Sequence, residues 1–273
     1  MSFSIETAFV LVAIGLGVGA FGTLIGAGGG FILTPTLLLL YPRESAQTLT
    51  AISLAAVFFN AASGSAAYAR QRRIAYRSGL VFALATLPGA VGGAIVVGSV
   101  SRSVFDAIMG VLLALLAGWL LVGERWPLPQ PERHLEQRTL VDRTGERYVY
   151  AVPLRRGAVY SLAVGFLSSF LGIGGGVIHV PLLVRALGFP THIATATSHF
   201  VLAIMAGAGS ITHIALGSFA HRHGMRRAAA LSLGVVCGAQ IGARVSLRLR
   251  GPVIQWLLGA ALLALSARLL YAA

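Results

Sequence analysis

Long apolar runs recur along almost the whole chain, and their length restricts its fold more than any other feature. They lie near residues 7–25, 31–41, 48–69, 78–99, 104–122, 157–173, 177–187, 192–215, 228–246 and 253–271. Hydrophobic residues make up 56% of the 273 and charged residues only 11%, too few to cover such runs with a polar surface. Most runs reach the roughly 20 residues of a spanning helix, so the sequence predicts an all-α polytopic membrane protein with about 8 to 10 membrane segments.

An internal repeat is centred on two glycine clusters, at residues 28–30 and 174–176. Further matches at offsets of 146 and then 145 positions are Ile32 with Ile178, Pro35 with Pro181, Leu37 with Leu183, Thr50 with Thr195, and Ser53 with Ser198. A nearly constant offset over such a distance indicates two copies of one structural unit. We therefore predict an N-terminal membrane repeat at 1–122 and a C-terminal membrane repeat at 157–273.

The arginines test how these two repeats are oriented. Each repeat holds five apolar runs, and an odd number predicts that the second copy lies inverted in the membrane. With the N-terminus outside, fifteen of the 21 basic residues, all arginine, fall on the cytoplasmic side and six outside, as the positive-inside rule requires. If the short runs instead dip in and return on the same side, the count becomes even and the inversion fails. Because the arginines cluster in short loops between apolar runs, the net charge of +13 does not indicate nucleic-acid binding.

Residues 123–156 form the one long hydrophilic stretch and contain five of the eight acidic residues. Within this linker, residues 139–141 and 146–150 flank Gly145, a pattern that predicts a small β-hairpin. The stretch either serves as a linker that permits the inversion or forms a regulatory or partner-docking element.

The two short runs, 31–41 and 177–187, cannot span a bilayer alone. Ten helical residues extend about 15 Å, half of the roughly 30 Å of hydrocarbon, so broken helices are expected to begin near the midplane. Thr34 followed by Pro35 looks like an N-cap with proline at the first helical position. Free backbone N–H groups at such a buried helix start form an anion site.

We therefore expect two facing substrate sites at the glycine clusters, although close helix packing is the alternative use of small residues. The candidate substrate-binding glycines are Gly28, Gly29, Gly30, Gly174, Gly175 and Gly176. Candidate polar ligands beside them are Thr34, Ser53, Asn60 and Ser198. The alternatives are hydrogen bonds from the serines to helix carbonyls and a packing role for the amide.

Proton coupling is assigned to histidine, because the acidic residues outside the linker are only Glu6, Glu44 and Asp106, all near segment ends. The buried carboxylate of many cation-coupled carriers is therefore missing. His179 and His199 lie next to the repeated motifs, and imidazole titrates near neutral pH. We expect His199 to have the larger effect on the pH dependence of flux and His179 the smaller. A hydrogen-bonded core histidine is the alternative for both.

No catalytic, cofactor or metal site is expected. Cys237 is the only cysteine, which excludes a disulfide framework and a metal–thiolate cluster. A hydrolase would need a nucleophile and a base, and Ser63 with His213 has no recognised spacing. We therefore do not expect an enzyme.

The paired glycine breaks with a following proline, the Thr-Ala-x-Ser stretches at 50–53 and 195–198 and the two-repeat layout resemble the TauE/SafE family of sulfite exporters. The resemblance implies a multi-pass transporter of the bacterial inner membrane that carries sulfite, thiosulfate or a sulfonate such as sulfoacetate. Proton linkage is expected from the two histidines and not from the resemblance. A passive anion channel or a transporter-like sensor is the alternative. The implied partners are a small anionic substrate and the lipid bilayer, with a homodimer left open. The sequence leaves open which anion moves and in which direction.

Overall fold

Helices dominate the residues that the computed structural model describes, which are 4–122, 137–219, 223–246, 248–249 and 251–272. The N-terminal repeat contains α1 (Ile5–Leu24), α2 (Gly30–Leu40), α3 (Ala46–Arg70), α4 (Tyr76–Val96) and α5 (Arg102–Val122). The C-terminal repeat contains α6 (Leu154–Leu171), α7 (Gly176–Pro181), α8 (Thr191–Ala215), α9 (Gly224–Val245) and α10 (Gly251–Ala272). A 3₁₀ turn at Val97–Ser99 follows α4, and a π-helical turn at Leu182–Ala186 extends α7.

Five of the described helices are long and apolar enough to cross a membrane, judged by length and composition. They are α1, α3, α4 with its 3₁₀ turn, α8 and α9. Large apolar side chains such as Phe9, Leu84, Ile211 and Leu233 are exposed on their outer faces. An exposed apolar surface of this extent is stable in lipid and not in water, so the fold is that of an all-α membrane protein.

The first break corrects the predicted start of the short helix. Gly29 has a left-handed backbone with φ 77° and is the N-cap of α2, so the helix begins at Gly30. Thr34 is buried inside α2 and caps nothing, and its predicted N-cap role is wrong. The chain turns into the helix at Gly29, five residues before Thr34, because glycine adopts a positive φ at almost no cost in free energy. Pro35 is consequently a residue within the helix.

The helices of each predicted repeat pack mainly against helices of the other predicted repeat. The first helix of each repeat packs against the fourth helix of the other, as α1 with α9 and α6 with α4. The two third helices, α3 and α8, pack against each other, and so do α5 and α10. Gly64 lies against His199, and Gly207 lies against Phe58, so α3 and α8 run antiparallel.

Glycines permit the closest of these helix contacts. Gly238 of α9 lies against the backbone of Leu16 and Ala20 in α1, and Gly93 of α4 lies against the backbone of Phe166 in α6. These positions therefore serve packing, as small residues do in membrane bundles.

A β-hairpin stands between the repeats, in the segment from which the sequence predicts one. Strand β1 (Gln137–Val141) pairs antiparallel with β2 (Arg147–Ala151), with Leu140 opposite Tyr148. Gly145 has φ 87° in the connecting turn. Tyr148 and Tyr150 alternate with exposed residues along β2 and are buried against the helices.

Candidate anion site

The two glycine breaks contact each other at the centre of the fold. A Cβ atom on Gly30 would lie 2.6 Å from the backbone of Ile173, and one on Gly176 would lie 2.5 Å from the carbonyl oxygen of Gly26. The same Cβ on Gly176 would lie 2.7 Å from Ala27, which is the counterpart of Ile173 at the offset of 146, so the two glycines make equivalent contacts. Only glycine allows the two backbones to approach so closely.

Hydroxyl groups from one repeat hold the glycine carbonyls of the other. Thr34 Oγ1 and Ser53 Oγ each lie 2.8 Å from the carbonyl oxygen of Gly172. Ser198 Oγ, the counterpart of Ser53, lies 3.4 Å from the carbonyl oxygen of Gly26. The serines therefore bond across the repeat interface, and not to the carbonyls of their own helices as the sequence-based alternative proposed.

Backbone donors remain unpaired at the start of α2. Gly28 N–H donates to the carbonyl of Gly22. The next backbone N–H with an acceptor is that of Ile32, which donates to the carbonyl of Gly29. In the part of the chain that the structure describes, the intervening N–H groups of Gly29, Gly30 and Phe31 have no acceptor. Three successive free donors at a buried helix N-terminus are typical of an anion site.

A small space lined by buried residues lies beside the second break. It contains about 160 Å³ between atoms, in spaces too narrow for a water molecule. The lining includes four of the predicted site residues, namely Gly175, Gly176, His179 and Ser198. Leu202 also lines it and lies against Gly28 of the first break, so the space is close to both breaks.

His179 is the one titratable residue among those that line this space, and its two ring nitrogens differ. Nε2 lies 3.2 Å from Ser161 Oγ, and that hydroxyl is 2.7 Å from the carbonyl oxygen of Gly157. Because the serine proton goes to the carbonyl, Nε2–H must donate to the serine. Nδ1 has no hydrogen-bond partner among the described residues, although the side chain is only 2% exposed.

His199 and Asn60 belong to a different network, which joins the helices. His199 Nε2 lies 3.2 Å from Thr23 Oγ1, which donates to Asn60 Oδ1 at 3.1 Å. Asn60 Nδ2 donates to the carbonyls of Gly19 and Val235. These contacts link α1, α3, α8 and α9, so the structure does not bring these two residues to the space beside His179.

Sequence reasoning missed several residues of this region. Thr86 and Met205 line the space, and Ser168 Oγ accepts the N–H of Gly175. The Ser168–Ser169 pair just before the second glycine cluster was a usable signal, because hydroxyls commonly cap helix starts. Thr86 and Met205 come from other helices, and no local pattern marks them.

The components of a hydrolase lie apart. Ser63 Oγ donates to the carbonyl of Val236 and receives a hydrogen bond from Gln240. His213 Nδ1 is 3.1 Å from Ser218 Oγ. Neither residue is the other's hydrogen-bond partner, so this pair forms no nucleophile and base.

Comparison with known proteins gives a family match over almost the whole chain. The family model described as "Sulfite exporter TauE/SafE" matches residues 11–269. The probable membrane transporter protein YunE of Bacillus subtilis is 29% identical over 269 residues, which cover 96% of this chain and 97% of the relative.

Two other organisms carry similar proteins. A probable membrane transporter protein of Xylella fastidiosa (strain 9a5c) is 30% identical, with 69% of this chain and 68% of the relative covered. "Sulfite exporter TauE/SafE family protein 6" of Arabidopsis thaliana is 31% identical over 39% of this chain and 24% of its own length. No solved structure matches the chain significantly.

Proposed function

The chain belongs to the sulfite exporter TauE/SafE family of membrane transporters, and from this premise we propose that it is a proton-linked secondary transporter of small sulfur-containing anions in a bacterial inner membrane. Sulfite, thiosulfate and sulfonates such as sulfoacetate are the proposed substrates. A binding site at the contact between the glycine breaks is supported by the buried histidine that lines the space there and by Leu202, which lines the same space and lies against Gly28.

The unpartnered nitrogen of His179 is the observation that carries this proposal. Because Nε2–H is committed to Ser161, the neutral ring can offer an anion only the lone pair of Nδ1. An anion repels a lone pair, whereas a protonated Nδ1–H would donate a charge-assisted hydrogen bond to it. Binding of the anion and of a proton are therefore coupled at this residue, which is the requirement for proton-linked transport.

We infer that substrate reaches this site by alternating access. The space beside His179 is too narrow for water, so a substrate enters only when the contacts between the breaks loosen. The bonds from Thr34 and Ser53 to Gly172 join the two repeats and must change in such a movement. Rocking of one repeat against the other around a central site is a common transport mechanism.

We further propose that the two repeats are inverted relative to each other in the membrane. The antiparallel packing of α3 and α8 supports this, because these helices are repeat counterparts. The ion pair between Arg227 and Glu44, at 2.9 Å, places the start of α9 beside the start of α3. On the opposite face, Gln71 after α3 donates to Ala243 near the end of α9.

Transport into proteoliposomes tests the proposal. The rate of sulfite, thiosulfate or sulfoacetate uptake is measured with and without an imposed pH gradient, and binding is measured by thermal shift, with sulfate and taurine as comparison ligands. We expect at least one of the sulfur anions to bind and its flux to change severalfold with the gradient. A flux that is the same with and without the pH gradient would identify a channel, and anion binding without flux would identify a sensor.

A further inference from the structure

The repeat predicts two equivalent cavities on opposite sides of the helical bundle, and one of them is accessible from outside. A cavity of about 460 Å³ lies between the chain before and at the start of α3 and the end of α8. Its lining consists of Arg43, Glu44, Ser45, Gln47, Thr48, Leu216, Gly217 and Ser218. We call this cavity the open mouth.

The repeat offset of 145 positions relates these segments to residues 188–193, at the start of α8, and to residues 71–73, after α3. An equivalent opening is therefore expected on the opposite side of the bundle. The hairpin lies there instead. Arg143 N–H donates to the carbonyl of Gln71 at 3.0 Å, and the Tyr150 ring lies 5.0 Å from the ring of Phe189.

A buried ion pair fixes the hairpin at this position. Arg73 donates to Asp142 Oδ2 through Nε at 3.1 Å and through Nη2 at 2.8 Å. The two side chains are only 5% and 1% exposed. Removing one partner of such a pair leaves an uncompensated buried charge, which is strongly unfavourable.

The turn of the hairpin keeps Asp142 ionised. Burial alone would raise the pKa of this carboxyl, but hydrogen bonds from Thr144, Arg73 and the Glu146 N–H outweigh it and lower the pKa to about 2. The ion pair therefore stays intact across physiological pH, and a change in cytoplasmic acidity does not release it.

We propose that the 137–151 hairpin is a plug that closes one of the two mouths, that the Arg73–Asp142 pair is its latch, and that the plug must lift once in each transport cycle. The inference rests on the proposed transport function, because a plug matters only where a pathway ends. It adds an asymmetry to the mechanism, since within the described residues the linker covers one of two equivalent mouths and not the other.

Chemical labelling tests the plug separately from transport. In a Cys237→Ser background, Ile193→Cys reports the plugged mouth and Thr48→Cys, its repeat counterpart, reports the open mouth. Adding Asp142→Asn is expected to speed labelling of Ile193→Cys by a water-soluble thiol reagent about tenfold or more, because the buried arginine loses its partner. Labelling at Thr48→Cys should not change.

Two further variants separate unlatching from general loss of structure. Arg73→Lys keeps a positive charge beside Asp142 and leaves the turn bonds of its carboxylate in place, so it should label close to the slow rate. Asp106→Asn breaks the partly exposed pair with Arg102 on α5 and should leave labelling at Ile193→Cys unchanged. Equal labelling rates with and without Asp142→Asn would overturn the proposal.

Locking the plug tests whether it has to move. Gln71 and Arg143 are in backbone contact, so Gln71→Cys with Arg143→Cys offers a disulfide between the hairpin and the bundle. Oxidation is expected to lower flux at least tenfold and reduction to restore it, with anion binding retained. Full flux from the oxidised protein would show that the hairpin is a static cover, whereas a protein with no flux under any condition would contradict the transport proposal itself.

Discussion

His179 and His199 look equivalent in the sequence, because each follows a repeated motif and replaces a leucine of the first repeat. Their surroundings in the fold are different. His179 lines the space beside Gly175 and Gly176, whereas His199 hydrogen bonds to Thr23 and packs edge-on against the Tyr68 ring. The sequence alone favours His199 for the larger role in pH dependence, and from these surroundings we propose the opposite ranking.

We expect His179→Gln to flatten the pH dependence of flux and His199→Gln to leave its shape unchanged. Glutamine can still donate to Ser161 but cannot take up a proton, and the other contacts of His179, such as the Phe82 ring, do not titrate. His199→Gln removes a member of the helix-joining network and should lower stability by about 1 kcal/mol, the usual value of a hydrogen bond. Flux measured between pH 5.5 and 8.5, with thermal unfolding in detergent, checks both.

His213→Gln is the matched control, because His213 is also buried but contacts Ser218 at the end of α8. Its pH profile should match that of the unchanged protein. If the His179 variant kept the pH profile of the unchanged protein, His179 would not be the coupling residue. The proton would then be carried by the substrate itself, as hydrogen sulfite.

Residue types near a motif could be predicted from the sequence, but their partners could not. Thr34 and Ser53 remain predicted substrate ligands, and in the structure both hydroxyls donate to the carbonyl of Gly172 in the other predicted repeat. That contact joins residues more than a hundred positions apart, so no local pattern contains it. The glycines could be placed more surely, because a positive φ is a local property.

At the scale of single elements, the two broken helices differ more than their matching sequences suggest. At the first break the unpaired N–H groups belong to an 11-residue helix. At the second break Ser168 accepts the N–H of Gly175, and α7 passes into a π-helical turn after Pro181. The repeated glycine clusters determine where each helix breaks. The surrounding side chains determine which backbone N–H groups remain free at each break.

Alanine substitutions should separate these two contributions. A Cβ on Gly29 would lie 2.8 Å from the backbone oxygen of Val18, whereas a Cβ on Gly175 would meet Ser168 Oγ at 3.0 Å and the flexible end of Met205 at 3.1 Å. Both changes carry the roughly 1–2 kcal/mol of a left-handed alanine. Gly29→Ala should be destabilised further because backbone must move.

Gly175→Ala should instead fold with a moderate loss and bind the anion at least fivefold more weakly, because the new methyl group enters the space beside His179. Gly17→Ala is the control, since no atom lies within 4 Å of its added Cβ. Thermal unfolding and anion titration measure the two effects. Unchanged anion affinity in Gly175→Ala would place the binding site elsewhere.

At the scale of the whole molecule, the repeat relates most of the structure to itself, and the hairpin is the exception. When α7 is taken together with its π-helical turn, the helix boundaries lie within about four residues of the apolar runs, because the length of an apolar run sets the length of a helix in lipid. The pairing of α1 with α9 and of α6 with α4 could not be read from the sequence, because hydropathy says which segments are apolar and not which ones touch. The position of the hairpin over one mouth depends on the Arg73–Asp142 pair, whose members lie in separate loops.

The orientation of the repeats gives the prediction that concerns the whole fold. Arg70 and Ala215 are the last residues of α3 and α8, are related by the repeat offset of 145, and are both exposed. If the repeats are inverted, these two positions lie on opposite faces of the membrane. The positive-inside rule further puts Arg70 on the cytoplasmic face, since the linker and most arginines share its side.

Labelling of single cysteines measures this orientation directly. In a Cys237→Ser background, a membrane-impermeant maleimide added to right-side-out vesicles should label Ala215→Cys and not Arg70→Cys, and inside-out vesicles should give the reverse. Leu84→Cys, on an exposed part of α4 between its ends, serves as a lipid-facing control that reacts from neither side, because a maleimide needs a hydrated thiolate. Labelling of Arg70→Cys and Ala215→Cys from the same face would exclude inverted repeats, and it would mean that the short helices return the chain to the side from which it entered.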